Sequence, residues 1–214
     1  KENTSEEEYR LFKEDREVSY SKTLMNWGIC KSVITGRWIV PAYNTDKLIT
    51  NVYTYYVFPD EKKLLPTKGL SHGVFTDTSY RDCYGNVFIC EGPWDGMVLG
   101  EVLGRYSGDL IEGRSIVISV PGAGIFRDVW SFFCQEKNVF IAFDNDHERV
   151  DESSGRVIPS AGRNGMKRIT KILYNQVSTP KSIKVIYWGE DVINAKIPHR
   201  SDIRDVLNGK VTLT

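Results

Sequence analysis

The run Val87-Phe88-Ile89-Cys90-Glu91-Gly92-Pro93-Trp94-Asp95-Gly96 passes from four apolar residues straight into an acidic, glycine-bearing turn. Further on, Val139-Phe140-Ile141-Ala142-Phe143 does the same into Asp144-Asn145-Asp146. A short apolar run bounded by turn residues reads as a buried strand. Two more such runs, Ser115–Val120 and Ile183–Trp188, follow the same rhythm, with helical stretches at Gly96–Tyr106, Arg127–Glu136 and Met166–Tyr174 between them. Short buried strands separated by helices imply parallel βαβ units, and right-handed crossovers then put helices on both faces of one sheet. The fold class is therefore α/β. The stretch His147–Ser160 (HERVDESSGRVIPS) breaks the rhythm and reads as an exposed loop.

Working outward toward the amino end, Arg37–Tyr43 and Leu48–Phe58 read as strands joined by the turn-rich Asn44-Thr45-Asp46, with a helical segment around Tyr20–Trp27 before them. The opening Lys1–Glu17, rich in Glu, Lys and Arg, reads as a solvated helix or a loose linker. This predicts a small antiparallel α+β subdomain over residues 1–80 and an α/β domain over residues 81–214.

In an open parallel sheet the ligand crevice lies at the carboxyl edge of the strands. Glu91, Asp144 and Asp146 would meet there, although more than fifty residues separate the glutamate from the aspartates. Converging carboxylate oxygens favour a hard cation, and Mg²⁺ is the usual guest where phosphate is also present. Read singly, each acidic residue after a strand could instead cap the next helix or sit in solvent. Two strand-to-acid junctions in this order favour the convergent reading. The loop Pro121-Gly122-Ala123-Gly124 reads as a plain turn or as backbone able to approach an anion; no G-K-[ST] follows, so it is no P-loop.

Composition is that of an ordinary globular protein, with 28 basic and 28 acidic residues and a formal net charge of zero. Nucleic-acid binding would therefore rest on local basic patches rather than on the whole-molecule field. Cys30, Cys83, Cys90 and Cys134 form no C-x-x-C pair, which argues against a zinc site or a disulfide framework and for a reducing cell interior. The three histidines, His72, His147 and His199, show no dyad or metal spacing. No apolar run reaches the roughly 20 residues that a membrane span needs. The chain opens on Lys1 rather than Met, which points to a piece of a longer protein.

The run from Val87 to Trp188 resembles a toprim domain, the fold shared by bacterial-type primases, type IA and type II topoisomerases and some nucleases. The resemblance matches the family's glutamate to Glu91, its aspartate pair to Asp144 and Asp146, and the acidic residue four after the glutamate to Asp95. The Ala-Gly and basic helix after D-x-D are answered, beyond an insertion, by Ala161-Gly162-Arg163-Asn164-Gly165-Met166-Lys167-Arg168. Ser201-Asp202-Ile203-Arg204-Asp205-Val206-Leu207-Asn208-Gly209 resembles the acidic helix that ends many primase toprim domains.

Upstream, Gly36-Arg37-Trp38-Ile39-Val40-Pro41 is similar to the "G-R-x-x-x-P" strand before toprim in primases. Lys62-Lys63-Leu64-Leu65 is similar to the "K-Y-L" strand, and Gly73-Val74-Phe75 stands where the "L-F-G" element falls. Where the family carries an arginine in the strand after the turn, Val52–Val57 offers tyrosines. The resemblance implies a DNA-dependent RNA primase core, a nucleotidyltransferase with Glu91, Asp144 and Asp146 catalytic. These three with Asp95 would hold Mg²⁺ (or Mn²⁺). It implies Lys63, Lys68, Arg163, Lys167 and Arg168 for the triphosphate and template. Implied partners are single-stranded DNA, NTPs and a replicative helicase, in cis or in trans, in the cytoplasm of a bacterial or phage-infected cell and away from the membrane. A toprim nuclease or topoisomerase fragment, or a non-catalytic toprim binding module, stands as the alternative.

Overall fold

The computed structural model describes residues 4–57, 62–78, 84–106, 114–144, 146, 148–151, 153–186 and 202–207. Expectations that fall on Phe58, Tyr80, Cys83, Asn145, His147, Trp188, His199, Ser201, Asn208 and Gly209 lie outside the described residues.

The amino-terminal part contains α1 (Glu6–Asp15), α2 (Ser21–Asn26) and strands β1 (Cys30–Lys31), β2 (Trp38–Tyr43), β3 (Ile49–Val57) and β4 (Lys62–Pro66). The four strands make an antiparallel sheet in sequential order. Helix α1 starts where Ser5 and Glu8 form a reciprocal capping box. The helix forms as expected and its charged side is exposed, but it is docked on one face rather than a loose linker. Tyr9 and Phe12 are buried, and Phe12 stacks on Trp38 with ring centroids 4.1 Å apart. Apolar residues three apart on an otherwise charged helix are enough to dock one face.

The rest contributes β5 (Phe75–Thr76), β6 (Tyr84–Glu91), α3 (Pro93–Tyr106), β7 (Arg114–Val120), a 3₁₀ helix (Asp128–Cys134) and β8 (Asn138–Ala142). After these come β9 (Arg149–Val150), β10 (Val157–Ile158), α4 (Ala161–Tyr174), β11 (Ser182–Val185) and α5 (Ile203–Leu207). The main sheet runs β11-β8-β6-β7-β5, parallel throughout except for β5, which pairs antiparallel with β7. This is the α/β class read from the sequence: a parallel-rich sheet flanked by helices, beside a small antiparallel sheet.

Strand β6 is central and apolar on both faces. Val87 and Ile89 belong to one core, with the 3₁₀ helix residues Trp130 and Phe133 and the α4 residues Met166, Ile169 and Leu173. Phe88 and Cys90 face the other, with Met97 and Val98 of α3 and with Tyr9, Phe12, Leu24 and Trp27. One packed cluster thus joins the amino-terminal helices to the parallel sheet.

Three local differences have clear causes. The segment read as a helix over Arg127–Glu136 is a 3₁₀ helix, whose threefold repeat puts Trp130 and Phe133 on one buried face. Helix α4 begins at Ala161, five residues before the expected Met166, because Ser160 caps it by accepting from the Arg163 N–H. The described residues between 148 and 160 are largely exposed as expected, yet β9 and β10 pair as a short hairpin in which Asp151 accepts from the Ser153 and Ser154 amides.

Candidate active site

Strands β6 and β8 are in register through Cys90 and Ala142, so Glu91 closes one strand while Asp144 leaves its parallel neighbour two residues later. Parallel strands lie about 4.8 Å apart, which places the two carboxyls at one sheet edge. Gly92, at φ +92°, then turns the chain into α3, its N–H donating to the Val120 carbonyl at 2.9 Å. Pro93 follows at the first helical position, where its lack of an N–H leaves nothing unpaired.

Each acidic side chain is held differently. Glu91 Oε1 accepts from the Ala123 N–H at 3.1 Å, so the loop after β7 orients the carboxylate. Its Oε2 is buried without a hydrogen-bond partner. The Asp146 N–H donates to the Asp144 carbonyl at 2.9 Å, a tight turn that keeps the two aspartates close. Ser160 Oγ donates to the Asp146 carbonyl at 2.8 Å, and the Gly162 N–H reaches Asp146 Oδ2 at 3.3 Å. The first turn of α4 therefore clamps the D-x-D turn from behind. Asp95, on the first turn of α3, is buried and in hydrogen-bond contact with the Asp202 carboxyl.

The groups feel one another. Burial, then the negative charges of Glu91, Asp202 and Asp146, push Asp144 up to about 8. Burial and Asp146 raise Glu91 above the usual carboxylate range, against the stabilising Ala123 hydrogen bond. Burial first, then Asp202 and Asp144, lifts Asp95 well above its ordinary value. Glu91, Asp144 and Asp146, read from the sequence as one site, thus interact at one sheet edge. Among the described residues no three carboxylate, imidazole or thiol groups stand close enough to hold a metal ion as they are.

Of the basic residues read from the sequence, Arg163 lies half-buried in the first turn of α4, next in the chain to Gly162, with Lys167 exposed on the same helix. Arg168 Nη1 donates to the Gly124 carbonyl at 2.5 Å, tying α4 to the loop that orients Glu91. Lys63 on β4 and Lys68 just after it are exposed on the antiparallel sheet. Trp94 is buried, with the Arg16 guanidinium 4.6 Å over its ring.

Two residues join the acidic cluster that were not singled out as site residues. Asp202 accepts from Arg204 Nη2 at 2.7 Å, and Arg204 Nε lies 3.7 Å from Asp95 and 3.9 Å from Glu17. The acidic closing helix carried the only signal for them. Nothing in its spacing says that it folds back against α3. Among the described residues no helix is long and apolar enough to cross a membrane.

No family model matches the chain, and no curated protein matches it. Solved structures do. The DnaG catalytic core matches with a TM-score of 0.60 at 11% identity, over 95% of this chain and 69% of that one. The primase fragment of the bacteriophage T7 primase-helicase protein matches with a TM-score of 0.56 at 18% identity, over 92% and 69%. A chain from the bacteriophage T7 lagging-strand DNA polymerase assembly, in which primase domains are bound to an RNA/DNA hybrid and dTTP, matches with a TM-score of 0.53 at 17% identity, over 92% and 84%. The chain has the fold of these primase cores.

Proposed function

We propose that this chain is a primase catalytic core of the toprim kind, which joins NTPs into short primers on single-stranded DNA by divalent-cation-dependent nucleotidyl transfer. One observation carries the reading. In a fold similar to primase cores, Glu91, Asp144 and Asp146 share the carboxyl edge of two adjacent parallel strands, and a buried oxygen of Glu91 is left without a partner.

The residues fit Mg²⁺ or Mn²⁺. The donors are hard oxygens, the buried Glu91 Oε2 lacks a partner, and none of the three carboxyls makes an ion pair with a described residue. Glu91, Asp144 and Asp146 would hold it, where it would neutralise charge on the triphosphate and activate the attacking 3′-hydroxyl. The chain's own groups do the positioning. Ala123 fixes one oxygen of Glu91 and leaves the other free, and burial raises Glu91 above the usual carboxylate range, the direction a proton-transfer role requires. Ser160 and Gly162 hold Asp146 in its turn. Arg163 and Lys167, with Lys63 and Lys68 from the antiparallel sheet, would supply the positive charge for triphosphate and template, so binding would weaken with salt. The T7 match is a piece of a primase-helicase, which supports a replicative helicase as partner, in the same chain or another.

Primer synthesis from labelled NTPs on single-stranded DNA, read on a gel, tests this. The wild type should extend primers in Mg²⁺, and Asp144→Ala/Asp146→Ala should fall to background. Nicking of duplex DNA in place of synthesis would move the chain to the nuclease branch.

A further inference from the structure

Ion pairing divides the acidic edge in two, although the charges of Asp202 and Arg204 also reach Asp144. Glu91, Asp144 and Asp146 form an outer set in which no described residue places a positive charge by ion pair. Asp95 and Asp202 form an inner pair, with side chains 10% and 11% exposed, set against each other. Two carboxyls in contact away from water need a proton or a cation between them.

Arg204 supplies one. Its Nη2 donates to Asp202 Oδ2 at 2.7 Å, and its Nε stands 3.7 Å from Asp95 Oδ1, with Glu17 Oε2 at 3.9 Å behind. The Nε is buried and makes no hydrogen bond, so the guanidinium serves here as charge rather than as a saturated donor. Its orientation is fixed by α5, which packs on α3 and begins with a reciprocal cap. The Asp205 N–H donates to Asp202 Oδ1 at 2.9 Å, and the Asp202 N–H donates to Asp205 Oδ2 at 3.2 Å.

We propose that Arg204 is a resident cation that occupies the inner half of the acidic edge, so that the site takes up one divalent ion, at Glu91, Asp144 and Asp146, rather than two. Asp95 then acts as a positioning residue for Arg204 and is not a ligand. This rests on the reading of the outer trio as a metal site. A guanidinium cannot lose its proton near neutral pH, so its charge is permanent, whereas a second Mg²⁺ would exchange with solvent. The guanidinium offsets one inner negative charge and stays in place through turnover.

Counting Mn²⁺ bound to the full chain by electron paramagnetic resonance, with calorimetry in parallel, tests it without reference to activity. The wild type should bind one Mn²⁺ per chain, Arg204→Met should bind two, and Arg204→Lys, which keeps the charge, should return to one. Two ions on the wild type would overturn the inference and leave the metal-site reading standing. One ion on both the wild type and a folded Arg204→Met would overturn it as well. No Mn²⁺ on any form, Asp144→Ala/Asp146→Ala included, would remove both. The wild-type count decides by itself if Arg204→Met does not fold.

Discussion

Asp144 holds a proton in the folded chain that it would release when unfolded. Its folded value is pushed up to about 8 by burial and by the charges of Glu91, Asp202 and Asp146, while an unfolded aspartate titrates near ~4. Between those values the native state binds more protons than the unfolded one, so stability falls as pH rises from about 4 through about 8. Glu91 and Asp95 are raised too and act in the same direction. Without divalent ions, thermal melting should therefore drop from pH 5.5 to pH 8.5 (~3 pH units chosen to span the window). Asp144→Asn should flatten that drop, and Mn²⁺ should raise the melting temperature more at the higher pH, because binding requires the deprotonated carboxylates. A wild-type melting temperature that climbs with pH would refute this charge arrangement. The identity of these residues was legible in the sequence, because each follows an apolar strand. Their coupling was not, since it arises from distances between strands that the chain order does not contain.

Helix α4 shows how an element can hide from sequence reading. The expected helix began at Met166, yet it starts before Gly162 and Gly165, and both glycines are sites of close approach. A Cβ on Gly165 would meet the Ala123 carbonyl oxygen at 2.6 Å and the Phe143 ring at 2.8 Å, and one on Gly162 would meet the Asp144 carbonyl oxygen at 2.6 Å. The small residues let α4 lie against the two loops that carry the site. Alanine in a helix is worth up to ~1 kcal/mol over glycine, while forcing extra atoms into close packing costs about 1–3 kcal/mol. Gly165→Ala should thus lower stability in urea titration and weaken Mn²⁺ binding, by displacing Ala123 from Glu91. Gly104→Ala, in open space near the end of α3, should be neutral or stabilising. Equal effects of the two substitutions would show that α4 does not press on the site.

Across the whole molecule, the amino-terminal helices and the parallel sheet are bound by an aromatic cluster. Phe12 stacks on Trp38 and meets Tyr55 and Trp94 edge-on at 5.3 and 5.7 Å, and Arg16 lies over Tyr55 and Trp94. Phe12→Ala should cost about 3–5 kcal/mol in chemical denaturation, where a solvated helix would lose almost nothing. The strand positions and the two-faced apolar pattern were readable from the chain alone, because a strand buried on both sides must be apolar at every position, and that leaves a mark at each residue. So too were the acidic ends of β6 and β8. Tertiary structure alone decided that a charged opening segment docks into the core, that α5 returns to α3, and that Arg204 sits between Asp95 and Asp202. A long-range contact is made by the few residues that happen to meet, and such residues leave no period along the sequence from which to foresee the meeting.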